Sequence, residues 1–131
     1  MRHYFCRLSP VEKWRWVGMR LRLALYPGEP RVLDEYLAIG EWLECNGFHS
    51  RWQVALEACR LLLATAADPA LPMYWRAMCL DRIYEPMDQL ASLAAGCADH
   101  ELAHRQLAGL RWKLAHLDMS TSDDSVSGLP D

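Results

Sequence analysis

The chain is poor in the features that mark most enzymes and secreted proteins. It has only two Phe and seven Gly in 131 residues. It has no Gly-rich phosphate loop and no P-loop, so the usual phosphate cradle is missing. It has no CxxC pair, which removes the common zinc-ribbon and thioredoxin-like readings. No run approaches the roughly 18 apolar residues that a spanning helix requires. Residues 1–10 offer no apolar stretch of the kind found in a secretory signal. No segment shows the strict alternation of a half-buried strand. The net charge of −3 makes no global case for nucleic acid.

What is present is apolar and helical. The hydrophobic fraction is 52%, enough for one domain with a real core, and six Trp is a high count. The charge is uneven. Residues 1–31 hold seven Lys or Arg against Glu12 and Glu29, while the other 100 residues hold seven basic and fifteen acidic side chains. The five cysteines, Cys6, Cys45, Cys59, Cys79 and Cys97, are odd in number and well separated. Several fall on apolar helix faces, which predicts reduced thiols and a cytosolic setting.

Short Pro, Gly and Asp breaks divide the chain into six helical stretches. Ser9-Pro10-Val11-Glu12 is a capping box with Pro at the first helical position. Trp14, Val17, Gly18, Leu21 and Leu25 follow at helical spacing, and Pro27-Gly28-Glu29-Pro30 ends the first helix. The second helix is predicted over 31–45, with Asn46-Gly47 as its stop. The third, over 50–67, has the cleanest pattern: Trp52, Ala55, Leu56, Cys59, Leu62, Leu63 and Ala66. A fourth, over 72–84, is apolar on several sides and is expected either at the centre of the core or under a partner. Pro86 opens a fifth, which ends near Gly96, and Asp99 is the expected cap of a sixth reaching Leu117. Residues 1–117 thus read as one all-α domain, a tetratricopeptide-like stack of about three helical hairpins. Residues 118–131 read as a disordered acidic tail, rich in Ser, Asp, Gly and Pro.

Two constellations invite a chemical reading. His100-Glu101-Leu102-Ala103-His104 matches the HExxH zinc pattern. It sits at the very start of its helix, Arg105-Gln106 replaces an apolar flank, and no third ligand follows convincingly, so it reads as a solvated helix start. Cys97 and His100 lack an orienting acid and an oxyanion donor, so they make no nucleophile pair. No catalytic residue, metal or cofactor is expected. The first helix, with Lys13, Arg15, Arg20 and Arg22, has three readings: a face for nucleic acid, a face for an anionic membrane, and a solvated face docked on the acidic remainder.

The other candidate site is apolar. Tyr36, Ile39, Trp42, Trp52, Leu56, Tyr74, Trp75 and Met78 are the candidate partner-binding residues. Six short helices cannot enclose every large side chain, and exposed apolar patches commonly mark partner sites.

Three segments carry a resemblance. They are Ile39-Gly40-Glu41-Trp42-Leu43-Glu44 with Gly47 behind it, Leu71-Pro72 followed by Trp75, Ala77 and Cys79, and Leu107-Ala108-Gly109-Leu110-Arg111 in the last helix. Together they make residues 31–117 similar to the tetratricopeptide-like needle-subunit co-chaperones of bacterial type III secretion systems. The resemblance implies a non-enzymatic cytoplasmic chaperone that lays the amphipathic helix of the needle subunit in an apolar groove and prevents premature polymerisation. It also implies a second small helical co-chaperone and a hetero-oligomer. The alternatives in other classes are a different helical-repeat adaptor and a small helical DNA-binding regulator.

Overall fold

The first turn of the chain's first described helix is held by Ser9, whose hydroxyl accepts the Glu12 N–H at 3.2 Å just ahead of Pro10. A computed structural model describes residues 8–96 and 100–119. Within them it is all-α, with six helices: α1 (Pro10–Arg22), α2 (Arg31–Cys45), α3 (Arg51–Ala66), α4 (Met73–Arg82), α5 (Tyr84–Ala95) and α6 (His100–Ala115). The arrangement is a helical-repeat-like stack.

The helix ends mostly follow the punctuation; α1 stops early, and α5 begins at Tyr84, two residues before the Pro86 expected to open it. Gly47 takes φ +74, and the Phe48 N–H reaches back to the Leu43 carbonyl at 3.0 Å, a Schellman stop for α2. α1 stops earlier than its apolar stripe suggests. Ala24 adopts φ 48 and the Leu25 N–H bonds the Arg20 carbonyl at 3.2 Å, so the same stop is made without a glycine. Leu25 therefore leaves the buried stripe and lies on the surface.

α4 and α5 are nearly one helix. Ile83, between them, keeps helical dihedrals. Pro86 has no N–H to offer the Arg82 carbonyl, and its ring crowds that oxygen, so the axis breaks there.

The centre of the molecule is α3, which packs on all five other helices. Val54, Ala55, Leu56, Ala58, Cys59, Leu62, Leu63, Thr65 and Ala66 are buried along it. The fourth helix is therefore not the central one. Trp75, Arg76 and Cys79 are its buried side, while Met73 and Tyr74 face outward.

Two indoles bolt the layers together. Trp14 donates to the Tyr36 carbonyl at 3.0 Å and Trp75 to the Leu21 carbonyl at 2.9 Å. Trp52 joins α3 to α6 through Gln106 at 3.2 Å. Gly18 and Gly40 permit the close crossing of α1, α2 and α3. A Cβ on Gly18 would meet the Tyr36 ring at 2.8 Å, and one on Gly40 would meet Val54 at 3.0 Å and the Trp14 indole nitrogen at 3.3 Å.

Arg76 is fully buried and donates to three backbone carbonyls: Ala66 at 2.8 Å, Asp118 at 3.0 Å and Met119 at 3.3 Å. It covers the open C-terminal end of α3 and fixes the chain that leaves α6. The packed unit thus extends through Met119, two residues beyond the expected boundary at 117. The rest of the expected tail, 120–131, lies outside the described residues, as do Asp99 and Cys97.

Candidate functional site

The walls of the principal groove are α2 on one side and α4–α5 on the other, and its floor is α3. Three adjoining cavities of about 490, 430 and 300 Å³ follow one another along this trough, and the Arg82–Asp34 ion pair crosses it between the first two. The first two share Asp34 and Arg82, and the last two share Glu44 and Gln89. α2, which forms one wall, spans 15 residues and is about 22 Å long. That length accommodates four turns of a helix.

The floor is shallow-sided and small. Val54, Ala55 and Ala58 of α3 supply it, with Gly40 beneath one wall. The two ends differ in chemistry. At one end Leu33, Tyr74, Ala77 and Met78 make an apolar mouth. Along the middle and far end stand Glu41, Glu44 and Glu85. Asp34 and Arg82 sit at the junction, where Arg82 donates to Asp34 across the gap and to Glu85 at 3.0 Å. Hydrogen bonding to Asp34 and Glu85 outweighs burial and raises the Arg82 pKa above its ordinary value. Five carboxylates (Asp34, Glu41, Glu44, Asp81, Glu85) face three guanidinium groups (Arg31, Arg51, Arg82) along the trough, so its field is negative.

The eight sequence-predicted residues do not form one surface. Tyr74 and Met78 border the trough, and Tyr36 lies buried beneath it. Tyr36, Leu56 and Trp75 are only 3%, 3% and 0% exposed, so they are core residues with no face left for a partner. Trp14 stacks on Tyr36 with ring centroids 5.0 Å apart, which explains why Tyr36 is enclosed. Ile39 and Trp42 lie on the other flank of α2, where Trp42 stacks on Phe48 at 5.4 Å. Trp52 is held against α6. The sequence reading missed Leu37, Ala38, Glu41, Glu44 and Glu85. For Leu37, Ala38 and Glu41 a signal was present: with Asp34 they share one face of α2 at i, i+3, i+4 and i+7.

The basic first helix is partly docked on the acidic remainder. Arg15 pairs with Glu57 at 2.8 Å and Arg22 with Asp68 at 2.8 Å. Burial alone would raise the Glu57 pKa, but hydrogen bonds from Arg15 and His49 outweigh it and hold the carboxyl below its ordinary range. The Arg22 hydrogen bond, then the Ala70 N–H, lowers Asp68 in the same sense.

The candidate chemical motifs stay apart from the groove. Glu101 accepts from Arg105 at 3.0 Å at the start of α6. Among the described residues no group of three His, Cys, Asp or Glu is placed to hold a metal ion. Cys59 and Cys79 are buried, and that burial pushes each thiol up to about 12. Among the described residues no helix is long and apolar enough to cross a membrane.

The fold and the trough define an all-α, helical-repeat-like protein with an open groove of helix length. Comparison of the chain with protein-family models, with curated proteins and with solved structures finds no match.

Proposed function

We propose that the chain is a cytoplasmic bacterial type III secretion chaperone that holds the amphipathic helix of the needle subunit in the α2/α4–α5 trough. The observation that carries this reading is the trough itself: helix-length, floored by small residues, apolar at the Tyr74–Met78 end and acidic beyond it. A helix laid in such a groove parts Arg82 from Asp34, buries its apolar side against the mouth and sets basic side chains against Glu41, Glu44 and Glu85. Needle subunits polymerise through exposed apolar stripes, and a chaperone that covers the stripe keeps the subunit monomeric. The resemblance around Ile39–Glu44 and Leu71–Cys79 supports the choice of client. A second small helical co-chaperone completes the proposed hetero-oligomer, and no catalysis is involved.

The test is co-expression of the chain with the needle subunit from the same cell. The expected result is a stable soluble complex that the double substitution Ala38→Arg/Glu41→Lys abolishes. Both positions are exposed on α2, so the fold is retained and the loss is specific. A complex that forms equally well with the double variant sinks the reading.

A further inference from the structure

α1 is apolar on two opposite sides. One side, Trp14, Val17 and Leu21, is core. The other carries Trp16, Met19 and Leu23 at i, i+3 and i+7, which are 42%, 40% and 51% exposed. Leu25 and Tyr26, equally open, prolong this outer stripe past the end of the helix. The stripe shares no residue with the trough.

Basic side chains line both edges of the stripe. Helical spacing puts Lys13 and Arg20 along one edge and Arg15 and Arg22 along the other. Arg15 and Arg22 have carboxylate partners within the fold. Among the described residues no ion pair is found for Lys13 or Arg20. The Arg20 guanidinium lies 5.2 Å from the centre of the Tyr26 ring, and its Nε is buried without a hydrogen-bond partner. Beside it Trp16, Arg20, Leu25, Tyr26 and Glu29 border a cup of about 310 Å³.

We infer that the outer face of α1 docks on an anionic membrane surface. The face is a single exposed helix, not a groove, so it offers a partner helix little to clasp. A helix of this kind, with cations on both edges of an apolar stripe, lies in the plane of the bilayer interface. The stripe enters the headgroup boundary and the basic stems reach up to lipid phosphates. The indole of Trp16 and the phenol of Tyr26, one apolar body and one polar tip each, suit that depth. On α1 itself four cations, Lys13, Arg15, Arg20 and Arg22, outnumber the single acid Glu12; this excess draws the helix to negative lipid, whereas the acidic remainder is repelled, so the molecule approaches with α1 foremost.

The inference stands apart from the chaperone reading, and its test uses no client. The full chain is sedimented with vesicles of phosphatidylcholine and with vesicles containing about one-third phosphatidylglycerol. Sedimentation is expected with the anionic vesicles alone, weakening as salt rises from about 0.1 to 0.5 M. Trp16→Ser/Leu23→Ser is expected to lower the affinity about tenfold. Trp42→Ser, which alters an equally exposed indole on α2, is expected to sediment as the wild type does. Circular dichroism checks that each variant keeps its helices. Failure of the wild type to bind anionic vesicles, or equal binding by the double variant, overturns the proposal. A wild-type dimer in light scattering that the double variant dissolves also overturns it, and assigns the face to a second copy of the chain.

Discussion

Arg82, the last residue of α4, reaches Asp34 on α2, so one ion pair ties together the two walls of the trough. The same guanidinium holds Glu85 on α5, at the break that Pro86 imposes. Opposite walls and the kink between α4 and α5 are therefore coupled through a single side chain.

Two glycines in helices should respond to alanine in opposite directions. Gly109→Ala in α6 meets nothing within 4 Å and should stabilise the fold by about 0.5–1 kcal/mol through helix propensity. Gly18→Ala gains the same propensity but drives its methyl to 2.8 Å from the buried Tyr36 ring. Overpacking at such a contact costs about 1–3 kcal/mol, so a net loss of about 1 kcal/mol is expected. Urea denaturation of the two variants beside the wild type checks the sign of each.

Ala24 and Gly47 do the same work at the ends of α1 and α2, but only one is glycine. Ala24→Gly should relieve left-handed strain and raise stability by about 1 kcal/mol. Thermal denaturation would show the gain as a higher midpoint. An unchanged or lower midpoint would mean the strain is absent.

Arg76→Met should be among the most damaging single changes in the chain. It leaves the buried Ala66 carbonyl and the half-buried Asp118 and Met119 carbonyls without their donor. The expected loss is about 2–4 kcal/mol. Hydrogen exchange should show the last turn of α3 losing protection first. A variant that unfolds at the wild-type urea concentration would contradict this account of the C-terminal anchor.

Acid should weaken the docking of α1. Glu57 and Asp68 have folded pKa values below their ordinary 4.5 and 3.8. The stability they add is complete above those ordinary values and is lost as pH falls through the lowered folded ones. Both carboxylates are partly solvated, so each pair contributes only about 0.5 kcal/mol. Denaturation midpoints should be flat from about pH 7 to 5 and fall below about pH 4.5. Glu57→Gln/Asp68→Asn should flatten that fall.

Most of the helical framework was legible in the sequence, because its signals are local. Ser9 caps, Gly47 stops, Pro86 breaks, and the i, i+3, i+4 pattern of the third helix survives as the central helix. The early stop of α1 was hidden, since nothing about Ala24 announces a left-handed conformation. The site was much less legible. Apolar size alone does not distinguish Tyr36, sealed beneath Trp14, from Tyr74, left on the surface. That distinction depends on which helices approach one another, through contacts such as the Trp14 indole on the Tyr36 carbonyl, 22 residues away. The acidic rim was passed over because single carboxylates on a helix look like ordinary solvated surface until Glu41 on α2 and Glu85 on α5 are brought to one trough.

The central claim is that a helix lies between α2 and α4–α5. Hydrogen–deuterium exchange of the chain with and without the needle subunit from the same cell tests it most directly. The account predicts added protection in two stretches, around Leu37–Glu44 on α2 and around Ala77–Gln89 across the α4–α5 break, with the outer face of α1 unchanged. Protection confined to α1 or α6, or none in a mixture at high concentration, would contradict it.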